Sequence, residues 1–108
     1  EATVSVCHIL SQPEDTRKLC QQADIVISAA GCAGLIKADY VRPGQVVVDV
    51  GVNVGKDGVM RGDAAFEEVE PIVKAITPVP GGVGAITSTV LMAHVVEAAM
   101  RQNGLEKQ

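Results

Sequence analysis

Apolar residues in this chain follow two rhythms. In Ala2–Cys7, Val4 and Val6 alternate with Thr3 and Ser5, whereas Asp24–Ala29, Val46–Val50 and Val73–Thr77 are almost unbroken apolar runs. The alternation predicts a strand with one less buried face, near a sheet edge, and the unbroken runs predict buried parallel strands. Between them the spacing predicts a helix over Glu14–Gln22, with Leu19 and Ala23 toward the sheet and Ser11, ahead of Pro13, as its cap. Lys37–Tyr40 is a short helical turn with Tyr40 half-buried, and Arg42-Pro43-Gly44 turns into the next strand. Asp57-Gly58 inside Val54–Gly62 signals a small hairpin, an arm suited to dimer contacts. Asp63 reads as the N-cap of a helix over Ala64–Val69 that Pro71 ends. The last helix, Ile86–Gln102, is apolar nearly all round, so it is expected to be buried on more than one side, against the sheet and a neighbouring domain or in an oligomer. Asn103-Gly104 stops it, and Leu105–Gln108 reads as a frayed tail. Helices alternating with strands, joined by right-handed crossovers, give an α/β class: one parallel sheet flanked by helices.

Composition narrows this without changing it. At 108 residues the chain forms a single domain. Hydrophobic residues make up 47% and aromatics only 2%, so the core is built of Val, Ile, Leu and Ala. A net charge of −4 with no basic run argues against a nucleic-acid partner. Cys7, Cys20 and Cys32 lack zinc-finger or CxxC spacing, which argues against a disulfide framework and a structural metal and fits a cytoplasmic setting. Without a basic partner in the pattern, Cys7 and Cys32 read as packing residues rather than nucleophiles. The longest apolar helix is broken by His94 and Glu97, and the first residues lack a signal peptide's basic flank, so no membrane partner is expected. His94 reads as a core or interface residue.

The chemistry gathers at the carboxyl ends of the strands, where ligands of open α/β sheets sit. Ala30-Gly31-Cys32-Ala33-Gly34 is an all-small loop, and Asp49 stands inside a β-branched run, where a carboxylate needs donors from neighbouring loops. Asp49 admits two readings, structural anchor or ligand contact. Thr77-Pro78-Val79-Pro80-Gly81-Gly82-Val83-Gly84 links the last strand to the last helix. Its prolines stiffen its start, its glycines permit positive φ at its tip, and the helix start behind it suits a polar or anionic ligand.

Five stretches carry a resemblance. Ala2–His8 resembles ATVTVCHS, Ala23–Gly31 resembles ADILVVAAG, Val48–Asn53 resembles VIDVGIN, Gly62-Asp63 with Phe66 resembles GDVDF, and Ile76–Gly84 matches ITPVPGGVG. In this order over nearly the whole chain, these are motifs of the bifunctional methylenetetrahydrofolate dehydrogenase/cyclohydrolase family. Ala85 and Ile86 replace that family's Pro and Met after the last motif.

The resemblance implies a Rossmann-like NAD(P)-binding part of an enzyme that oxidises 5,10-methylenetetrahydrofolate to the methenyl form and hydrolyses this to 10-formyltetrahydrofolate. It implies that residues 1–108 are one partial domain lacking its first strand and the GRSxxVGxP phosphate loop. The folate-binding lobe, with the catalytic Lys and Tyr, precedes this region in the family, so no catalytic or metal-binding residue is assigned here. The chain would then be a fragment of a longer polypeptide, inactive alone, in a homodimer that meets its folate through the missing lobe.

By the same resemblance His8, Ile9 and Ser11 lie near the adenosine end of the cofactor. Ile9 stands where the family commonly has a Ser that helps hold the 2′-phosphate, so the cofactor is NADP with NAD open. Ala30 and Gly31 border the crevice, Val52 contacts the cofactor, Thr87 reaches toward the nicotinamide, and Pro80, Gly81 and Gly82 meet the pterin. His8 as a strand-end residue and Thr87 as a helix cap are the alternatives to these roles. For the whole chain the alternative is a catalytically silent dimerisation or regulatory module.

Overall fold

The computed structural model describes residues 1–105. Helix α1 (Pro13–Gln22) leads into strand β1 (Ile25–Ser28), and a 3-10 turn (Ala38–Tyr40) precedes β2 (Val46–Asp49). The hairpin β3 (Asn53–Val54) and β4 (Met60–Arg61), helix α2 (Phe66–Val69), strand β5 (Ala75–Ile76) and helix α3 (Gly84–Gln102) complete it. Strands β1, β2 and β5 form one parallel sheet in that spatial order, with Ile25 opposite Val46, Ser28 opposite Asp49 and Val47 opposite Ile76. The hairpin is a separate antiparallel pair. From Glu106 on, the expected tail lies outside the described residues.

The core lies on one face of the sheet. Val26 and Val47 point into it and meet Ile36, Val41, Ala64 and Val69, with Cys20, Ala23 and Tyr40 packed around them. Leu19, expected to face the sheet, is half-exposed, and Cys20 takes that place. The opposite face is open, with Ile25 and Ile27 at 59% and 69% exposure. An almost unbroken apolar run thus meets a layer on one side only within these residues.

Two larger departures have the same cause. Ala2–Cys7 is not a strand: it pairs with no neighbour among the described residues, and Val4 and Val6 are 77% and 81% exposed. Alternation yields a strand only where a partner edge accepts its hydrogen bonds. Helix α3, expected to be buried, buries none of its residues, and Leu91 and Met92 are 61% and 68% exposed. The Cα radius of gyration of 16.8 Å exceeds the roughly 13 Å of a compact chain this long. Both segments carry apolar surface that these residues do not cover.

Helix ends needed partners that the pattern did not reveal. Ser11 does not cap α1: Gln12 holds the N-cap position without a side-chain bond, Pro13 opens the helix, and Ser11 Oγ instead accepts from His8 N at 3.0 Å. The C-terminal carbonyls of α1 are closed from across the fold. Gln45, fully buried, donates through Nε2 to Cys20 O at 2.6 Å and Ala23 O at 2.7 Å, while its Oε1 accepts from Arg42 N at 2.7 Å. Arg42 Nε donates to Gln21 O at 2.7 Å and brings a positive charge to the negative end of the helix. Gln45→Ala removes the two short Nε2 bonds and leaves Cys20 O and Ala23 O to longer ones from Ala23 N and Arg42 Nη2, each 3.3 Å, and is expected to cost about 1–2 kcal/mol in urea unfolding; a loss below about 0.5 kcal/mol would contradict this role.

Candidate functional site

At the carboxyl edge of the sheet two buried aspartates cross-brace the loops. Asp49 ends β2, and its carboxylate accepts from Gly51 N at 3.0 Å, Asp63 N at 3.0 Å and Ala64 N at 2.9 Å. Asp63 returns the favour toward β1. Its Oδ2 accepts from Ser28 Oγ at 2.8 Å and Ala30 N at 2.7 Å, and its Oδ1 from Cys32 N at 3.0 Å and Asn53 Nδ2 at 3.2 Å. Two glycines make the room: a Cβ on Gly62 would overlap the Asp49 carboxylate, and one on Gly51 would overlap that of Asp63. Asp63 is therefore no helix cap. Ala65 takes the N-cap position of α2, because the Asp63 carboxylate turns toward the end of β1, where more donors await it. Burial by itself raises the Asp63 pKa, but the Ala30, Ser28, Asn53 and Cys32 donors outweigh it and hold the carboxyl below the ordinary aspartate value.

The same hub reaches the third strand. Asp49 N donates to Thr77 Oγ1 at 2.8 Å, which ties the end of β2 to the start of the Thr77–Gly84 loop. Within that loop Gly81 has φ +93°, a conformation that glycine alone adopts freely, and the Val79-Pro80 peptide is cis. Gly82 is needed for a different reason: a Cβ there would overlap Pro78 O. Of the three glycines that permit positive φ in this loop, Gly81 alone adopts it. Helix α3 begins at Gly84, and its Ala85 and Ile86 amides are already bonded to Gly82 O and Val83 O at 3.0 and 3.1 Å. Ahead of these two committed donors the loop presents Pro and Val side chains and Gly backbone to the crevice.

Loop, hairpin and β2 end line an open cavity of about 600 Å³. Val52, Pro80, Gly81, Gly82 and Thr87, five of the residues singled out in the sequence, line it together. Thr87 Oγ1 donates to Val83 O at 2.9 Å, so its hydroxyl is turned back onto the helix and leaves its methyl for the cavity. Ala30 and Gly31 sit at the end of β1, outside that lining and exposed. His8, Ile9 and Ser11 form a third group, a tight turn in which Ser11 N donates to His8 O at 2.9 Å and Leu10 N to His8 Nδ1 at 3.1 Å, with Ile9 97% exposed. Sequence reasoning missed Met60, which brings the hairpin into the lining, and the work of Asp63. The Gly62-Asp63 pair was the available signal, but an aspartate before a helix reads equally well as a cap.

Parallel strands whose carboxyl ends carry small-residue turns define the class of open α/β sheets that hold ligands at that edge. Within that class the chain belongs to the tetrahydrofolate dehydrogenase/cyclohydrolase family, whose NAD(P)-binding domain model matches residues 1–103. It is 50% identical over 106 residues to the bifunctional protein FolD of Carboxydothermus hydrogenoformans, covering 96% of this chain and 36% of that protein. The FolD of Methanospirillum hungatei is 51% identical over 104 residues, with 96% and 36% covered. Among solved structures, the methylenetetrahydrofolate dehydrogenase/cyclohydrolase of Campylobacter jejuni superposes with a TM-score of 0.87 at 46% identity, covering 94% of this chain and 35% of that one. The Trypanosoma brucei enzyme, complexed with NADP and an inhibitor, gives 0.81 at 34% identity, with 89% and 34% covered. The chain thus spans about a third of the length of the relatives it matches.

The pKa of Asp63 gives the brace a pH signature. A carboxyl depressed in the fold stabilises it fully above the unfolded value of about 3.9 and loses that contribution as pH falls through the folded value. Relative to Asp63→Asn, the native chain is therefore expected to hold a stability advantage in urea unfolding at about pH 6 that narrows toward about pH 2.5. An advantage that stays constant over this range would show that the ionised carboxylate is not what matters.

Proposed function

We propose that these residues form the nucleotide-binding portion of a methylenetetrahydrofolate dehydrogenase/cyclohydrolase, acting on 5,10-methylenetetrahydrofolate with NADP. The observation that carries the reading is the cavity at the Thr77–Gly84 loop, where Val52, Pro80–Gly82 and Thr87 converge. Its size and its apolar, backbone-rich walls fit planar rings, and the close approach at Gly82 leaves no room for a side chain. NADP, when bound, supplies the hydride acceptor for the methylene carbon. The residues here bind and orient: Val52 and the Thr87 methyl form one wall, and Pro80–Gly82 the other. Ala30 and Gly31 border the crevice, and His8, Ile9 and Ser11 lie toward the adenosine end. Ile9 offers no polar group for a 2′-phosphate, which leaves Ser11 to recognise it.

Hydrolysis of the methenyl product and the acid–base groups for both steps belong to a folate-binding lobe outside residues 1–108. The parent protein is a cytoplasmic homodimer, without nucleic-acid or membrane partners. No helix of the described residues is long and apolar enough to cross a membrane. The exposed apolar face of α3 supports association with further protein surface.

Dehydrogenase assays on 5,10-methylenetetrahydrofolate, run on the full-length protein and on residues 1–108 with NADP and with NAD, test the reading. The full-length protein is expected to be active, faster with NADP, and to sediment as a dimer, while residues 1–108 alone are silent. A full-length protein inactive with both cofactors contradicts the enzyme reading and favours a silent dimerisation module.

A further inference from the structure

The turn after β1 is built like an anion site that is already filled. Ala30 N and Cys32 N both point inward, at 2.7 and 3.0 Å from the Asp63 carboxylate, with Gly31 between them at φ +69°. Two amides flanking a left-handed residue make a concave nest of the kind that binds phosphates in nucleotide-binding loops. Here the anion is the protein's own. Asp63 is fully buried, and no buried polar side-chain atom of the described residues lacks a hydrogen-bond partner, so the nest has no vacancy for a second anion. The outward side of the turn is bare, with nothing within 4 Å of where a Gly31 Cβ would stand.

We propose that Asp63 is a positioning residue for cofactor binding: its carboxylate occupies the amide nest after β1, fixes that turn, and makes it a seat for an uncharged part of the dinucleotide rather than for its phosphates. This rests on the reading of the crevice as an NADP site. Two consequences follow from the charge and the geometry. A phosphate brought to Ala30–Cys32 would meet a buried negative charge with both nearby amides already committed, so the phosphates lie away from this turn. The second concerns reach. Because Asn53 Nδ2 binds the same carboxylate and Gly51 packs against it, Asp63 also sets the segment that carries Val52 into the cavity. One side chain thus holds two loops of the crevice in register without touching what they bind.

The test uses the full-length protein with Asp63→Asn and, as a milder change, Ser28→Ala, which removes one donor and leaves the carboxylate in place. Asparagine is isosteric and keeps one accepting oxygen, but its NH2 replaces the other and faces an N–H donor from which it cannot accept. KM for NADP is expected to rise about tenfold in Asp63→Asn and about twofold to threefold in Ser28→Ala, with KM for 5,10-methylenetetrahydrofolate unchanged. Amide hydrogen exchange across residues 29–33 and 51–53 of the cofactor-free protein is expected to speed up in the same order. A folded variant with faster exchange but unaltered KM for NADP overturns the inference, because the brace is then structural only. Unaltered exchange overturns it too. If Asp63→Asn does not fold, Ser28→Ala decides by the same two readouts. A native protein that binds no NADP overturns the proposed function itself, and this inference with it.

Discussion

A carboxylate removed from water without compensation costs several kcal/mol, so a fold tolerates one only where donors are already aimed at it. Asp49 and Asp63 meet that condition reciprocally. Asp49 accepts from the backbone of Asp63 and Ala64, while Asp63 accepts from the end of β1 and its following turn. Neither site exists without the other, because the chain around Asp63 is what Asp49 holds, and the Asp63 carboxylate is what holds the turn. Three strand ends, the hairpin and the start of the Pro-Gly loop are thereby fixed to one another at the edge where the crevice opens. The apolar core on the other side is small: Val26, Val47 and their few buried neighbours. Much of what gives the crevice its shape is therefore polar and directional.

This division of labour explains how the chain can be firm at the crevice and open elsewhere. The hydrogen-bonded brace is directional, so it specifies loop geometry more closely than hydrophobic contacts alone. The open sheet face at Ile25 and Ile27 and the apolar surface of α3 are not covered by the described residues. A helix with Leu91, Met92 and Val95 all more than half exposed carries an apolar area that a monomeric surface rarely shows in one place.

Much of this architecture was legible in the sequence. The apolar runs placed β1, β2, α1 and α3 within two residues of where they stand, and Asp57-Gly58 located the hairpin. Hydrophobic periodicity is a local signal, and these elements are set by local pattern. What failed depended on partners distant in the chain. Ala2–Cys7 alternates correctly but finds no edge to pair with. Asp63 has the spacing of a cap, yet donors at Ser28, Ala30 and Cys32, about thirty residues away, claim it. Gln45, just ahead of the apolar run of β2, closes the end of α1 from more than twenty residues away. At the crevice the resemblance supplied Val52, Pro80–Gly82 and Thr87, which the fold gathers around one cavity. The His8–Ser11 turn stands apart from that cavity, because the segment carrying it is not in the sheet.

The central claim is that braced strand ends form a dinucleotide site whose first turn is closed to phosphate. A crystal structure of the full-length protein with NADP tests it most directly. The account predicts the nicotinamide ring in the cavity between Val52 and the Pro80–Thr87 segment, an uncharged part of the cofactor over Gly31, and the Asp63 carboxylate still bound to the Ala30 and Cys32 amides. Phosphate oxygens on those two amides, with Asp63 displaced, would contradict it.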